Sequence, residues 1–339
     1  EYGKRKFNSQ HLDMTYQFST NTKYSLNFWA SNQEREVPQN MTTPFSDAKQ
    51  YDKSIRILSS VKHKKNNLLI SAKQAYVQED FEYTELSKEI QSSYLAESYI
   101  SDIDLKFFKN NYLYNVDILL TNNQLVNNNY INTQKDEKSI AAFFSAQYRS
   151  KKLLINSVLR KEWHSNFNIP YIPSLAFESK LSNLVTFKAR VNRNFRSPTF
   201  NDRFWAGANA NGNINLKSED SWNQEIGLGF NIKYMRFSIT AYNLHISDMI
   251  LWQQIENGSW MPNNIQQVFS RGVETKIRFK FREFVFDGDY AFTKSTNESA
   301  TNYLDNTVGK QLRYVPLHKL NSRLTIGKEK FQYSISTSY

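Results

Sequence analysis

The sequence of 339 residues has no cysteine and no long apolar run. Without cysteine there is no disulfide framework, and without about 18 consecutive apolar residues there is no transmembrane helix. A mean hydropathy of -0.64, taken alone, is typical of a soluble protein. A signal peptide is also missing, because residues 1–6 are charged and contain no apolar segment. Either a precursor has been processed or the sequence is an internal piece.

The connections between the apolar segments alternate in length. Short polar turns are predicted at residues 21, 63–67, 109–111, 151, 182, 233, 282 and 328–329. Longer loops are predicted between them, at residues 33–50, 79–96, 122–138, 164–171, 195–219, 253–265 and 294–315. Outer-membrane β-barrels sort their connections in this way, with short periplasmic turns and long extracellular loops. The alternation therefore predicts an all-β, transmembrane antiparallel β-barrel, whose polar lumen also explains the low hydropathy.

The segments between these connections have the two-residue period of β-strands. Between residues 185 and 195 the odd positions are mostly apolar and the even positions are all polar. A hairpin about the turn at residue 282 pairs Phe279 with Phe286 on one face and Arg278 with Asp287 on the other. A soluble sheet with one face on a core and the other in water has the same period. Periodicity alone leaves both interpretations open.

Aromatic residues make up 15% of the chain, enough for the girdles of a membrane barrel. Part of the net charge of +11 falls in the predicted short turns. A nucleic-acid groove would gather such charges on one face, and here they are spread over successive turns along one rim, so no nucleic-acid partner is expected. Contact with anionic lipid headgroups and simple solvation both explain them. The basic turn residues are His63, Lys64, Lys65, Lys109, Lys151, Lys152, Lys233, Lys328 and Lys330.

The direction of the strands predicts that the barrel continues beyond this chain. About sixteen strands can be counted, from one near residues 12–19 to one at 331–339. The first leads into a short turn and the last follows one, so both chain ends lie on the extracellular side. Bacterial barrels begin and end in the periplasm, and an unpaired edge in hydrocarbon leaves backbone groups unsatisfied. We therefore expect further strands on both sides.

Five segments resemble, in order, the barrel signature of TonB-dependent outer-membrane receptors. Residues 194–204 read NFRSPTFNDRF and residues 212–230 read GNINLKSEDSWNQEIGLGF. The others are FWASNQEREVP at 28–38, GSWMPNNIQQVFSRGVE at 258–274 and GKQLRYVPLHKLN at 309–321. Together they are most similar to the cobalamin-receptor-like branch. Ser218 departs from the pattern, which usually has proline there.

The resemblance implies a 22-stranded barrel filled by an N-terminal plug domain. Residues 1–339 would be a partial barrel domain running from strand 4 to strand 19, with the plug and the terminal strands absent. It also implies a protein of the outer membrane of a Gram-negative bacterium, in contact with outer-membrane lipid and pulled upon by the TonB energy-transducing complex through the missing plug. The expected ligand is cobalamin or another corrinoid. A ferric siderophore or haem is the second expectation and a passive porin the third. Whether a surface lipoprotein covers the receptor stays open.

The outer loops are where ligand contacts are expected, because loops vary between receptors of different substrates. Tryptophan and arginine are favoured as binding anchors, but an aromatic girdle would use tryptophan at the same strand ends. The predicted ligand-binding residues are Arg196, Arg203, Trp205, Trp252 and Trp260. Structural roles are expected for the shared motif residues Pro198, Thr199, Glu219, Glu225 and Gly272, with Gly272 marking a kink or a close approach and the two glutamates pairing with lumen cations.

Catalysis is the competing class of function, and nothing in the sequence supports it. The most suggestive neighbourhood is His245 with Ser247 and Asp248. On a strand His245 and Ser247 share a face while Asp248 points the other way, so no activated nucleophile is visible. No metal-ligand spacing stands out either. We therefore expect no catalytic residue, no metal site and no cofactor.

Overall fold

The structure is a computed structural model, and it describes residues 3–38, 46–130, 132–207, 209–255, 258–300, 306–328 and 331–339, without the side chains of residues 265 and 266. These residues form one sheet of 18 strands. The strands are β1 (Arg5–Ser19), β2 (Thr22–Glu36), β3 (Lys49–Lys65), β4 (Leu68–Glu85), β5 (Ile90–Lys109), β6 (Tyr112–Asn127), β7 (Gln134–Arg149), β8 (Leu153–His164), β9 (Ile172–Lys180), β10 (Val185–Arg196), β11 (Ala206–Gly207), β12 (Ala210–Asn211), β13 (Glu219–Ile232), β14 (Met235–Gln254), β15 (Trp260–Phe281), β16 (Phe284–Asn297), β17 (His318–Lys328) and β18 (Phe331–Ser338). A 3-10 helix lies at Leu86–Lys88 and one α-helix, α1, at Phe200–Phe204.

Sixteen of the described strands have eight residues or more, which confirms the predicted count. Each of them pairs antiparallel with the next along the chain, and β10 pairs directly with β13. The two-residue strands β11 and β12 pair with each other inside the β10–β13 connection. Ala210 of β12 also makes one parallel pairing with Trp260 of β15. The antiparallel all-β architecture is therefore as predicted.

A turn is confirmed at each predicted short connection that the structure describes, although the one predicted at 63–67 is only residues 66–67, because 63–65 belong to β3. The turn at 328–329 lies partly outside the described residues. Several predicted loops are wrong in extent. The loop predicted at 79–96 is almost entirely strand, because Glu85 pairs with Ile90 across a four-residue connection. Strand also covers the ends of the loops predicted at 33–50, 122–138, 253–265 and 294–315, parts of which are not described. Polar side chains do not end a strand while its backbone still finds partners.

The longest strands exceed the length needed to cross a membrane. About 9–11 residues suffice for a strand tilted by about 45°, and β4, β5, β14 and β15 have 18, 20, 20 and 22 residues. The excess lies at the end of the sheet that carries the long connections. The sheet is therefore a tall wall whose upper part extends beyond the apolar band.

The two faces of the sheet differ in polarity as the sequence predicted. Phe279 pairs with Phe286 and Arg278 with Asp287, in the predicted register. Ion pairs run across the polar face between neighbouring strands, at 3.3 Å for Lys73–Asp102, 3.3 Å for Lys188–Glu178 and 3.6 Å for Arg278–Asp287. Exposed pairs of this kind contribute little stability. These ion pairs do, however, identify the polar face of the sheet.

β1 and β18 are the two edges of the sheet. Every side chain along both strands is exposed, and no ladder joins them within the described residues. Across the part of the chain that the structure describes, no helix is long and apolar enough to cross a membrane.

Candidate functional site

The long connection between β10 and β13, residues 197–218, contains a short helix whose start is fixed by its own sequence. Thr199 is the N-cap residue of α1 and accepts a hydrogen bond from the backbone N–H of Asp202 at 3.1 Å. The Asp202 carboxylate accepts one in return from the backbone N–H of Thr199 at 3.0 Å. This capping box satisfies two backbone donors that the helix leaves free. Pro198, just before it, is fully buried, so the connection starts from a packed point.

Asp202 holds this helix to two strands. Its Oδ1 accepts a hydrogen bond from the indole Nε1–H of Trp252 on β14 at 2.9 Å, and its Oδ2 accepts one from Arg196 at the end of β10 at 3.3 Å. Asp202 is buried. Burial alone would raise the pKa of this carboxyl, but the hydrogen bonds from Thr199 and Trp252 and the charge of Arg196 lower the pKa below its ordinary value. The carboxylate is thus held ionised.

Arg196 also contacts Glu219 at the beginning of β13. The same Glu219 oxygen accepts a hydrogen bond from the backbone N–H of Ile250 on β14 at 2.8 Å. The predicted pairing of Glu219 with a cation of the polar face is therefore confirmed. The same prediction is wrong for Glu225, which makes no ion pair within the described residues and accepts a hydrogen bond from the side chain of Asn223.

Arg203 fixes α1 to a more distant part of the wall. Its guanidinium pairs with Glu137 of β7; the arginine side chain is buried, with 6% of its surface exposed, and the glutamate side chain is 11% exposed. The guanidinium also lies over three aromatic rings, 4.5 Å from the centroid of Phe204, 5.1 Å from Phe167 and 5.4 Å from Phe200. Glu137 is on the polar-face parity of β7. The connection therefore folds over the polar face of the sheet.

A second contact to the same region comes from the short β6–β7 connection. Tyr130 is buried there, and its hydroxyl hydrogen-bonds Asn201. Burial raises the pKa of the Tyr130 hydroxyl to about 12. Tyr130 also forms an isolated backbone bridge with Trp205, the residue that ends α1. Trp205 thus lies at the seam between the helix and the β6–β7 connection.

The segment around Trp260 holds the other half of the connection. The amide side chain of Asn213 donates to the backbone carbonyl of Pro262 at 3.2 Å. Asn264 accepts from the backbone N–H of Lys217 at 2.9 Å and donates to its carbonyl at 3.0 Å. The Trp260 side chain remains 48% exposed. Residues from three of the sequence motifs are therefore in contact at the connection formed by residues 197–218.

The structure brings the five predicted residues to this connection but gives them different surroundings. Arg196 and Trp260 keep about half of their surface exposed, at 47% for the arginine side chain and 48% for the tryptophan. Arg203 is buried, and the indole N–H of Trp252 is bonded to Asp202. Sequence reasoning missed Asp202, Glu137 and Tyr130, and only Asp202 carried a signal, the Thr-x-x-Asp capping pattern.

Other motif residues have structural roles. A Cβ on Gly272 would lie 2.7 Å from the hydroxyl of Tyr242 and would overlap the carbonyl of Phe292, which confirms the predicted close approach. Gln311 clamps the next connection by accepting from the N–H of Ser295 at 3.0 Å and donating to the carbonyl of Val315 at 2.9 Å.

In the neighbourhood considered for catalysis, His245 packs against an aromatic ring. The ring of His245 stacks on Phe269 at 4.2 Å between centroids. No hydrogen bond joins His245 to Ser247 or Asp248 among the contacts of the described residues. Nor does that part of the chain contain a group of three or more His, Cys, Asp or Glu side chains placed to hold a metal ion.

Comparison with known families and proteins gives a consistent result. The family described as "TonB dependent receptor-like, beta-barrel" matches residues 1–339. The vitamin B12 transporter BtuB of Vibrio vulnificus is 32% identical over 153 residues, which cover 45% of this chain and 24% of that protein. The vitamin B12 transporter BtuB of Photobacterium profundum is 25% identical over 175 residues, covering 50% of this chain and 28% of that protein.

Among solved structures, the siderophore receptor PirA of Pseudomonas aeruginosa superimposes with a TM-score of 0.78. The match covers 99% of this chain and 63% of that one at 13% identity, so it concerns the fold alone. The matched segments correspond to only 24% and 28% of the two BtuB proteins.

Proposed function

The chain belongs to the family of TonB-dependent receptor-like β-barrels, and we propose that it forms part of the wall and outer vestibule of an outer-membrane receptor. In this proposal the apolar face of the sheet meets lipid and the polar face lines the lumen. The long connections lie outside the cell. The receptor takes up a large, scarce solute with energy that the TonB complex delivers through a plug domain.

One observation carries the proposal, the clamping of residues 197–218 over the lumen face. Two contacts to different strands hold it, that of Arg203 with Glu137 of β7 and that of Asp202 with Trp252 of β14. A loop fixed in this way presents a preorganised surface to a ligand that enters from outside, so little ordering entropy is lost on binding.

The five candidate residues divide into two proposed roles. Trp260 and Trp205 are proposed to touch ligand, because their side chains are exposed or half-buried beside the clamped loop. Arg196 is proposed to do so with its 47% exposed side chain while it also pairs with Asp202 and Glu219. Trp252 and Arg203 are proposed to position that loop, since their polar groups are bonded to Asp202 and Glu137. A large rigid indole suits a bulky, partly apolar ligand.

Cobalamin or another corrinoid is the proposed ligand. The two relatives named as vitamin B12 transporters match about half of the chain by sequence, which supports this choice over other solutes. A ferric siderophore or haem is the second candidate, supported by a shared fold with a siderophore receptor at low identity.

Equilibrium binding to the purified complete receptor tests the proposal. Cobalamin should bind and a ferric siderophore should not. Trp260→Ala should weaken cobalamin binding by roughly 1 to 3 kcal/mol, or about 5- to 150-fold in Kd. Trp163→Ala is the matched control, because Trp163 is 57% exposed on the apolar face of β8.

The outcomes separate the candidates. Siderophore binding without cobalamin binding would replace the corrinoid by the second candidate. Equal affinity of Trp260→Ala and wild type would remove Trp260 from the ligand site and return it to an interfacial girdle.

A further inference from the structure

We propose that Arg271 of β15 and Lys294 of β16 form a binding site for the phosphate groups of a lipid in the outer leaflet. This inference rests on the proposed function for two points, that the apolar face meets the membrane and that the long connections lie outside the cell. Arg271 and Lys294 are directly opposite each other in the register of the two strands. Both lie on the apolar-face parity, with Val273 and Phe279 on β15 and Phe286 and Phe292 on β16.

The height of this pair on the strands matches a headgroup position. Arg271 is ten residues from Phe281 at the short turn. At about 3.4 Å per residue and a tilt of about 45°, the vertical distance is about 24 Å, which equals the height of the apolar band of such barrels, about 25 Å. Arg271 and Lys294 are therefore at the outer edge of the band, at the end that carries the long connections.

An aromatic row in the same strands marks the interface at that height. Trp222 of β13 pairs with His245 of β14, and His245 pairs with Phe269 of β15. The guanidinium of Arg271 lies 4.5 Å from the centroid of the Phe269 ring. Aromatic rings with polar edges are enriched where lipid headgroups begin. The Phe269 ring and the Arg271 guanidinium are therefore suited to the boundary between the apolar band and the lipid headgroups.

The charge of this pair is uncompensated. Directly opposite like charges destabilise a sheet, and neither cation has an ion pair or hydrogen bond among the described contacts. One terminal nitrogen of Arg271, Nη1, is buried without an acceptor. The next acidic residue of the same parity is Glu298, just beyond the end of β16 and four positions from Lys294, and it accepts a hydrogen bond from Thr296. An anion between the two cations would remove the repulsion.

Two other cations on the apolar-face parity of their strands, Arg193 of β10 and Lys161 of β8, already have partners within the protein. Arg193 pairs with Asp220 at 2.6 Å, and Lys161 donates to the backbone carbonyl of Ile169. Arg271 and Lys294 differ from them in being free to bind an external anion. A guanidinium binds phosphate bidentately and an ammonium adds a point charge, so the pair is suited to a phosphate-bearing lipid headgroup.

The test uses the complete receptor, purified and stripped of lipid, and titrated with diphosphorylated lipid A in detergent. Native mass spectrometry counts the bound lipid. The variant carrying R271Q and K294Q should bind about 10- to 100-fold more weakly than wild type, which corresponds to losing one or two charge-assisted contacts. The control carries K276Q and K280Q, two charges on the lumen parity of the same strand, and should bind as wild type does.

Three further arms make the result decisive. Lipid A without phosphate, with the same acyl chains, should show no difference between wild type and the R271Q and K294Q variant. Inorganic phosphate should bind far more weakly than lipid A. The swapped variant with R271K and K294R should retain lipid binding, which shows that the loss in the double variant is one of charge and not of folding.

Equal binding of lipid A by wild type and the R271Q and K294Q variant would overturn the inference. So would equal loss in the control variant, or inorganic phosphate binding as tightly as lipid A. Cobalamin affinity measured on the same samples should be unchanged in every variant. A wild type that binds lipid but no cobalamin would defeat the proposed ligand and leave this site standing.

Discussion

Replacing Asp202 by asparagine should release the clamped loop from one side. The carboxylate receives hydrogen bonds from Thr199, Trp252 and Arg196. Asparagine offers a single acceptor oxygen, so at least one of the two well-formed bonds to Thr199 and Trp252 is lost, at about 1.5 to 3 kcal/mol for a charged acceptor. The contact with Arg196 adds less than about 1 kcal/mol, because the arginine side chain is 47% exposed.

The expected cost is therefore about 2 to 3 kcal/mol in the free energy that holds residues 197–218 closed, or about 30- to 150-fold in the opening equilibrium. Hydrogen exchange in the complete receptor measures it. The reporter amides are Gly212, which donates to the carbonyl of Trp205 at 2.7 Å, and Asn213, which donates to the carbonyl of Asp202 at 2.8 Å. Both should exchange faster by that factor.

Asp220→Asn is the matched control for this experiment. Asp220 lies next to the clamped loop, but it pairs with Arg193 on the opposite face of the sheet. Its replacement should leave the exchange of Gly212 and Asn213 unchanged. Unaltered exchange in Asp202→Asn, or equal acceleration in both variants, would refute the clamp as described.

Three other perturbations test the faces, the packing and the pH dependence. A charge at Phe187 should cost about 2 to 4 kcal/mol of membrane folding, measured by insertion of the complete receptor, and Lys188→Gln far less; equal costs would contradict the assignment of the faces. Gly272→Ala should cost about 1 to 3 kcal/mol or more through overlap with its neighbours, so an unchanged unfolding midpoint in detergent would count against the close approach. The folded-state pKa of Asp202 is lowered, so the stability that its carboxylate gives to the closed loop is complete above the ordinary pKa of 3.8 and is lost as pH falls through the lower value. Hydrogen exchange of the loop amides should therefore accelerate, beyond its intrinsic pH dependence, only in acid. An equal acceleration in Asp202→Asn, which has no carboxylate to titrate, would contradict this.

Much of the sheet followed from the sequence because its signals are local and periodic. The turn at Arg282 placed Phe279 opposite Phe286 and thereby fixed the register of a whole hairpin, which the structure reproduces. Turn positions were predicted for the same reason, since each has its own polar residues. The lengths of the strands were not predicted correctly. Above the apolar band, polar residues such as those at 79–85 continue the ladder, and polarity there was mistaken for a loop.

The arrangement of the site could be predicted only in part. The motif around Arg196 and Trp260 indicated where the loop would be, but not which partners it would find. Glu137 and Arg203 are 66 residues apart, on elements that meet only when the sheet is formed. The alternation of polar and apolar residues along a strand cannot predict a contact between such distant segments. Arg203 therefore looked like a ligand anchor in the sequence, whereas in the structure it is buried and paired with Glu137.

Energy-coupled uptake of cobalamin is the measurement that tests the central claim most directly. Cells that depend on the complete receptor are supplied with labelled cobalamin, with and without an uncoupler that dissipates the proton gradient across the inner membrane. The account predicts accumulation that the uncoupler abolishes while surface binding persists. Entry that continues unchanged in the presence of the uncoupler would contradict it, because that is the behaviour of a passive pore.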